Sequence, residues 1–292
     1  MGWIMQTKQS EITVIILTYN EQLNLLFALN SVQGWAHRVY VVDSFSTDET
    51  VQIARCQHIE VYQHPFADWA AQRNWALDTI PLDTEWIFFL DADEQLTDAL
   101  KKEIQIALDK VALHTAAFTI RQAFVFMGRH LKHAHDGPPL VRLARKNRVR
   151  WICEGAREYC KVDGAIDTLK NPLWHDDHKG LTAWTEKQNG NATREAWLLW
   201  QHHLKPGSVN LAEGISEREL RFRIRKLVWR RLPLFARSVL YFLYRYLLRG
   251  GFLDGKAGLI YSILHAFWYQ FLIDAKYYEL MTTNHKHVDL FS

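Results

Sequence analysis

The chain has 292 residues, of which 48% are apolar and 23% charged, and its formal net charge is +3. These values match ordinary globular proteins, so they exclude wholesale disorder and give no reason to expect a nucleic-acid partner. Its three scattered cysteines include no CxxC pair, which argues against a disulfide framework or a cysteine zinc site and indicates a reducing compartment. We interpret residues 1–10 as a short tail without a secretory signal.

Apolar, β-branched runs alternate with helically spaced segments through the first third of the chain. The predicted strands are Ile12–Leu17, Val39–Val42, His58–Tyr62 and Trp86–Leu90, and the predicted helices are Leu23–Val32, Asp48–Arg55, Asp68–Ile80 and Asp98–Leu108. Such alternation predicts an α/β fold in which helices flank a mostly parallel sheet. Ser46 or Thr47 is a candidate cap for the second helix.

The pattern changes after Leu113. Ala117–Phe126 and Leu140–Leu143 are predicted strands, and Arg145–Arg150 is a predicted basic turn. The segment that follows, up to His178, is predicted to be rich in loops, and the rest is helical. We therefore expect a tail at 1–10, an α/β domain at 11–178 and a helical region at 179–292.

Polar side chains follow three of the predicted strands at the point where each ends. They are Thr18–Glu21 after the first strand, Asp43 and Ser44 after the second, and Asp91, Asp93 and Glu94 after the fourth. Ligands of parallel α/β sheets bind outside the carboxyl ends of the strands, so these three clusters predict one site.

Asp91 and Asp93 form an Asp-x-Asp pair, which can hold a divalent ion such as Mg²⁺ or Mn²⁺ together with substrate phosphates. An ordinary acidic loop is the alternative. Asp43 can accept hydrogen bonds from a nucleobase or ribose, or it can be a strand-end turn residue. Turn chemistry equally explains Thr18 and Asn20.

Four motifs in this order resemble the family 2 glycosyltransferases, which have the GT-A fold. They are TYNE at Thr18–Glu21, DSFSTDET at Asp43–Thr50, QRNWAL at Gln72–Leu77 and WIFFLDADE at Trp86–Glu94. The sequence departs from the family at Phe45, where a glycine is common. The resemblance implies a nucleotide-sugar donor, a divalent metal, and a donor site made of Thr18, Asn20, Glu21, Asp43, Ser44, Arg73 and Asp91.

The same resemblance implies that Asp43 contacts the base, Asp93 binds the metal and Asp91 lies against the ribose or the metal's waters. Arg73 has two interpretations, a contact with the diphosphate or an internal salt bridge. His175 is either a third metal ligand beside Asp91 and Asp93 or a core histidine. The neighbouring Asp176, Asp177 and His178 also have metal-ligand spacing, although a polar loop has the same composition.

The later part of the chain resembles a bacterial branch that builds lipopolysaccharide core and other lipid-linked glycans. The resemblance rests on Gly155–Glu158, Gly164, His175, Gly251–Gly255, Gly258, Lys276 and Glu279. Arg157 replaces the histidine of that branch. The branch implies Glu158 as the base of an inverting transfer, with Glu154 and Asp136 as alternatives, and Asp93 as the other catalytic residue.

The region from Leu220 to Leu253 contains no acidic residue, and its arginines alternate with aromatic residues. The basic residues are Arg221, Arg223, Arg225, Lys226, Arg230, Arg231, Arg237, Arg245 and Arg249. This composition predicts peripheral attachment to an anionic membrane, on the cytoplasmic face of the inner membrane. The alternatives are a buried helical core and nucleic-acid binding, and no nucleic-acid-binding motif accompanies the charge. No oligomeric state follows from the sequence.

We therefore expect an inverting transfer of a single sugar, from a donor such as a UDP-hexose to a lipopolysaccharide-core or lipid-linked acceptor. Two alternatives are a nucleotidyltransferase and a non-catalytic, membrane-associated nucleotide-sugar-binding protein. The first strand lacks the glycine-rich phosphate loop that a nucleotidyltransferase needs, and the Asp91–Asp93 pair argues against the second alternative.

Overall fold

The computed structural model describes residues 11–135, 137–154, 157–204 and 232–283. The chain divides into two compact units, one of Met1–His130 and Asp136–Gly180 and the other of Leu131–His135 and Leu181–Ser292. The predicted tail at 1–10 lies outside the described residues. The first unit contains an α/β fold, which confirms the predicted fold class.

A seven-stranded sheet forms the centre of the first unit. Its strands are β1 (Ile12–Thr18), β2 (Arg38–Asp43), β3 (Glu60–Gln63), β4 (Trp86–Asp91), β6 (Thr115–Ile120), β9 (Leu140–Arg145) and β12 (Ala165–Thr168). They lie in the order β12-β6-β9-β4-β1-β2-β3. Among these strands only β9 runs antiparallel to its neighbours, so the sheet is mostly parallel.

Helices cover both faces of this sheet. They are α1 (Leu25–Val32), α2 (Thr50–Cys56), α3 (Trp69–Thr79) and α4 (Asp98–Asp109). Ile12, Val14 and Ile16 pack into one core, while Ile15 and Leu17 pack into a second core on the other face. This burial on both faces explains why β1 is a continuous apolar run rather than an alternating one.

The helix starts follow local capping chemistry. The carboxylate of Asp68 accepts a hydrogen bond from the Ala71 amide at 2.8 Å, which confirms the predicted start of α3. The predicted start of α2 was wrong by two residues, because the helix begins at Thr50. Neither Ser46 nor Thr47 caps α2, whereas Asp48 accepts a hydrogen bond from the Thr50 amide at 3.0 Å.

The region between 115 and 178 contains more strands than predicted. The single strand expected at Ala117–Phe126 is two strands, β6 and β7 (Gln122–Phe126), which belong to different sheets. The expected basic turn contains a 3₁₀ helix at Lys146–Arg148. The expected loops contain four strands, β10 (Val149–Glu154), β11 (Arg157–Val162), β12 and β13 (Leu173–Asp176).

Two small sheets accompany the large one. Strands β10 and β11 form an antiparallel pair, and β13 is the second strand of a four-stranded sheet in the order β5-β13-β7-β8. The short strands of that sheet are β5 (Glu94–Gln95) and β8 (Arg129–His130). Because β13 pairs with β5, His175 lies opposite Glu94, close to the end of β4.

The second unit is helical where the structure describes it. Its helical elements are α5 (Gly180–Leu204), α6 (Ala236–Leu243), a π-helical segment Tyr244–Leu248, a 3₁₀ helix Gly251–Asp254, α7 (Gly255–Tyr261), a second π-helical segment Ser262–Trp268 and α8 (Tyr269–Thr282). Within the described ranges no helix is both long enough and apolar enough to cross a membrane.

Backbone packing explains the glycines of the GFLDG region. A Cβ atom at Gly258 would lie 2.2 Å from the carbonyl oxygen of Gly251, so only glycine fits there. Between these glycines, the buried carboxylate of Asp254 accepts hydrogen bonds from the amides of His133 and Ala134 at 2.9 and 2.8 Å. This region therefore holds the segment Leu131–His135 in the second unit.

Candidate active site

The three predicted strand-end clusters lie at one edge of the sheet. The strand register places Thr18 opposite Asp43, and Leu17 opposite Asp91. The ends of β1, β2 and β4 are therefore neighbours, as the parallel arrangement requires. This edge holds every carboxylate that the sequence assigned to the donor site apart from Glu21, which follows β1 in the next turn.

Asn20 and Phe45 occupy the turns after β1 and β2 with left-handed backbone angles, φ 53° and 58° respectively. The side chain of Asn20 accepts a hydrogen bond from the Thr47 amide at 2.8 Å and so joins the two turns. Left-handed angles favour glycine, which gives a physical reason for the glycine that family members often have in place of Phe45.

Asp43 is fully buried, and its carboxylate accepts four hydrogen bonds. Thr18 Oγ1 donates at 2.9 Å, the Ser46 amide at 2.9 Å and Gln63 Nε2 at 3.1 Å, and the Ser46 hydroxyl is the fourth donor. A carboxylate has about four acceptor positions, so all of those of Asp43 are occupied. The predicted contact of Asp43 with a nucleobase remains a prediction.

Gln72 and Asn74 of α3 hold two different parts of the candidate site in place. Gln72 Nε2 donates to Ser44 Oγ at 3.2 Å, which fixes the second strand end. The Asn74 side chain forms two hydrogen bonds with the backbone of Trp151, at 2.7 and 3.0 Å, and so anchors β10.

Arg73 is buried at 4% exposure and forms internal ion pairs. Its Nη1 lies 2.5 Å from Glu158 Oε1, and its Nη2 lies 3.1 Å from Asp91 Oδ1. Of the two interpretations of Arg73, the structure contains the internal salt bridge. A contact with a diphosphate remains a prediction.

Arg142, on the antiparallel strand β9, is a residue that the sequence interpretation missed. Its Nη2 lies 2.5 Å from Asp91 Oδ2 and 2.5 Å from Glu94 Oε1. Burial opposes ionisation of Asp91, but the guanidinium groups of Arg142 and Arg73 outweigh burial and hold the pKa of Asp91 below its usual range. Asp91 is therefore an anion held between two arginines.

The sequence placed Glu94 in the polar cluster after the fourth strand but assigned it no role. It is completely buried and accepts hydrogen bonds from Gln122 and from the Asp91 amide, the latter at 3.0 Å. Burial raises the pKa of Glu94, while the charge of Arg142 lowers it. Glu94 has no solvent exposure, so we interpret it as a support for Asp91 and Arg142 rather than as a substrate contact.

Asp93 and His175 are brought together at the same edge. Asp93 Oδ2 lies 3.4 Å from His175 Nε2, and the backbone carbonyl of Asp93 accepts a hydrogen bond from the Asp176 amide at 2.9 Å. The other ring nitrogen of His175 is buried without a partner in the described structure. The sequence separates these residues by 82 positions, and the pairing of β13 with β5 joins them.

The donor atoms at this edge fit a divalent ion that substrate phosphates help to hold. A carboxylate and an imidazole are ligands that Mn²⁺ accepts, and Mg²⁺ is commonly held by one or two carboxylates plus phosphates. Across the described ranges no group of three or more His, Cys, Asp or Glu side chains is arranged around a common centre. Both oxygens of Asp91 face arginines, Arg73 and Arg142, whereas Asp93 and His175 lie beside each other at this edge.

The turn after β1 is tied to the segment after β13. Glu21 Oε1 accepts from Lys179 Nζ at 2.5 Å, and the buried Asn24 donates to Glu21 Oε2 at 2.8 Å and to Asp177 Oδ1 at 2.9 Å. His178 stacks on Phe27 with ring centroids 4.3 Å apart. Glu21, Asp177 and His178 thus make structural contacts here, which matches the polar-loop interpretation of Asp177 and His178.

Glu158 is the candidate base that the structure describes. Its side chain is 22% exposed. Burial raises the pKa of Glu158, and the charge of Arg73 opposes that rise. A raised pKa makes a carboxylate a stronger base at neutral pH. Of the alternatives, Asp136 and the side chain of Glu154 lie outside the described residues.

Residues 13–162, more than half of the chain, match the sequence profile of glycosyl transferase family 2. The chain therefore belongs to this family, and the predicted GT-A class is confirmed. An uncharacterized glycosyltransferase of Rickettsia typhi, RT0209, is 36% identical over 95 residues, which is 32% of each chain. The glycosyltransferase SunS of Bacillus subtilis is 35% identical over 112 residues, 37% of this chain and 25% of that one.

The chain thus matches about a third or less of the length of these curated relatives. Among solved structures, Staphylococcus aureus TarS residues 1–349 aligns over 94% of this chain and 92% of that one. The sequence identity is 17% and the TM-score 0.44, so no conclusion rests on this similarity.

Proposed function

We propose that this chain transfers a single sugar, with inversion, from a nucleotide-sugar to a glycan or lipid-linked acceptor. A UDP-hexose is the proposed donor, and a lipopolysaccharide-core or other lipid-linked saccharide is the proposed acceptor. The observation that carries the proposal is the position of Asp91, Asp93 and His175 at the carboxyl edge of the sheet in a family 2 chain. In proteins with open α/β sheets, ligands bind at this edge.

Several side chains at the edge support the donor half of the proposal. Thr18, Asn20 and Ser44 are short polar groups fixed by neighbouring hydrogen bonds, so they are preorganised for a nucleotide. Asp91 is held as an anion, which suits it to accept hydrogen bonds from a ribose hydroxyl.

Asp93 and His175 would hold the divalent ion, with Mg²⁺ or Mn²⁺ as the candidates. When bound, such an ion neutralises charge on the diphosphate and improves it as a leaving group. In this proposal Asp91 contributes through hydrogen bonds rather than as a direct ligand, because both of its oxygens face arginines.

Glu158 is the proposed base of the acceptor half. An acceptor hydroxyl would give its proton to Glu158 while its oxygen forms a bond to the anomeric carbon, and the bond from that carbon to the diphosphate would break. Arg73 fixes the position of Glu158 through the ion pair at 2.5 Å. The side chain of Arg73 therefore connects the proposed base, Glu158, to Asp91 of the donor site.

The protein is proposed to act as a peripheral protein on the cytoplasmic face of the inner membrane. The support is the run of basic residues in the second unit's sequence, because Lys and Arg attract anionic lipid. Two of the basic residues do not belong to the proposed contact. Arg237 and Arg245 are buried, and Arg237 pairs with Asp274, so the prediction that both belong to a membrane-facing surface was wrong.

Asp93→Asn is the direct test of the donor site. With UDP-hexoses and Mn²⁺, we expect the variant to lose UDP release by at least about 100-fold, because the substitution removes the charged ligand but keeps its size. Asp109→Asn, on the exposed end of α4, is the matched control and should retain full activity. A folded Asp93→Asn protein with undiminished activity would refute the proposal.

The same assay separates the alternatives that the sequence left open. Pyrophosphate released from a nucleoside triphosphate would indicate a nucleotidyltransferase. Tight binding of nucleotide-sugar without turnover of any donor would indicate a binding protein.

A further inference from the structure

Helix α6 and the π-helical segment Tyr244–Leu248 place their two arginines and Ser238 towards the inside of the second unit. Arg237, Ser238 and Arg245 are all buried, at 5%, 0% and 7% exposure. Arg237 Nε lies 2.6 Å from Asp274 Oδ1, and Arg245 Nη2 donates to the Ala134 carbonyl at 2.6 Å. Both arginines of this stretch therefore have a partner inside the protein.

The outer side of the same stretch is apolar. Its exposed large residues come in pairs four positions apart, and we call them the outer stripe: Val239, Leu240, Leu243, Tyr244, Leu247 and Leu248. A stretch that is α-helical in one half and π-helical in the other has an average turn of about four residues, so a spacing of four keeps the stripe on one side. From 236 to 248 no exposed position carries a charge.

This arrangement is the reverse of an ordinary surface helix, which buries its apolar residues and exposes its charged ones. The outer stripe is 41–54% exposed over its first five residues, and Leu248 is 81% exposed. Exposed apolar residues that cluster on one side of a helix are typical of contacts with a membrane or a partner.

We infer that the outer stripe docks on an anionic lipid bilayer by shallow insertion of its apolar side chains. Charge identifies the partner, because the sequence 221–231, which precedes α6, has six basic residues and no acidic one, and the exposed Arg249 follows the stripe. A stripe on a single helix side suits an element that lies in the interface plane. The inference rests on the proposed membrane location and replaces a purely electrostatic contact with an apolar one.

Flotation of the full chain with lipid vesicles tests this assignment. The vesicles are phosphatidylcholine alone or mixed with phosphatidylglycerol, at low and at high salt. We expect binding to the mixed vesicles that largely persists at high salt, because apolar insertion is not screened whereas charge attraction is. Complete release by salt would overturn the assignment of the contact to the stripe.

Leu248→Asp is the decisive variant, and Leu113→Asp is its matched control. Both change a highly exposed leucine, 81% and 89% exposed, and both add one negative charge, but Leu113 lies in the first unit. We expect the partition coefficient of Leu248→Asp to fall about tenfold or more, and that of Leu113→Asp to stay within about twofold. Equal losses in the two variants would overturn the inference.

Two further measurements exclude other occupants of the stripe. Light scattering without lipid would overturn the inference if the wild type is a dimer that Leu248→Asp separates, since a second copy would then cover the stripe. Limited proteolysis without lipid should cleave residues 205–231 of Leu248→Asp no faster than those of the wild type, and faster cleavage would show that this segment covers the stripe.

Donor-dependent UDP release, measured in parallel, separates the two proposals. Loss of membrane binding with normal UDP release leaves the transferase proposal intact.

Discussion

Arg142→Met should destabilise the first unit more than any surface substitution of the same kind. Methionine keeps much of the length of the side chain but removes the guanidinium that lies 2.5 Å from both Asp91 and Glu94. Glu94 has 0% exposure, so its carboxylate would be left buried beside Asp91 without its cation.

The expected cost is about 3 kcal/mol. Removing one partner of a buried ion pair costs about 3–5 kcal/mol, since the remaining charge stays desolvated. We take the lower end because Asp91 is 31% exposed and keeps Arg73 as a second partner. Adding Glu94→Gln to Arg142→Met should recover about 1–2 kcal/mol, because the double variant no longer contains the uncompensated buried charge.

Hydrogen exchange of the amides of β4 and β9 is the suitable assay, because it reports the stability of this unit rather than of the whole chain. Arg150→Met is the matched control. Its exposed pair with Asp78 should contribute at most about 1 kcal/mol. The reasoning would be refuted if Arg142→Met were as stable as Arg150→Met, or if the Glu94→Gln effect were the same with and without Arg142.

Two predictions concern titration. Glu158→Gln should reduce the rate of transfer by about 100-fold or more and remove the rise of activity with pH, since the base must be deprotonated and burial raises its pKa; a wild-type pH profile in the variant would exclude Glu158 as the base. The pKa of Asp254 is lowered because its hydrogen bonds from the Ala134 amide, the His133 side chain and the other amides outweigh burial. Its stabilisation is therefore present above pH 3.8 and is lost as the pH falls through the lower folded-state pKa. Asp254→Asn should cost about 1–3 kcal/mol at neutral pH and remove this dependence, as measured by acid unfolding; an unchanged acid transition would contradict this account.

The sequence was sufficient for the parts of the fold that local pattern determines. The four predicted strands before residue 92 each overlap an observed strand. Apolar, largely buried runs gave a strong signal for β1, β2 and β4, whereas β3 is short and partly exposed. Strands β10 to β13 were missed. Leu173–Asp176 is short and polar in part, and it forms a strand because it pairs with Gln122–Phe126, about 50 residues earlier.

The candidate site was predictable where motif and strand end coincide, and not where a distant strand supplies the partner. Asp91, Asp93 and His175 lie close to one edge as the sequence suggested. Arg142 was missed because a single arginine in a short strand has no local signature. Arg142 lies inside the predicted strand Leu140–Leu143, but the sequence does not show that its partners are Asp91 and Glu94, about 50 residues earlier.

The arginines of the C-terminal region show the opposite error. Composition indicated a cationic surface, yet Arg237 and Arg245 face inwards. Arg237 donates to Asp274, and Arg245 donates to the Ala134 carbonyl. Composition does not distinguish the two sides of a helix, and the burial of a charge depends on partners that are distant in sequence.

The saturated carboxylate of Asp43 has a consequence for selectivity. A hydrogen-bond donor of the nucleotide that binds to Asp43 must replace Thr18, Ser46 or Gln63, because no acceptor position is vacant. Such a replacement exchanges one hydrogen bond for another and adds little to affinity. A nucleobase that placed a hydrogen-bond acceptor next to Asp43 would be repelled, because two acceptors would face each other without a proton between them. In the proposed contact with the base, Asp43 would therefore act as a filter rather than as an anchor.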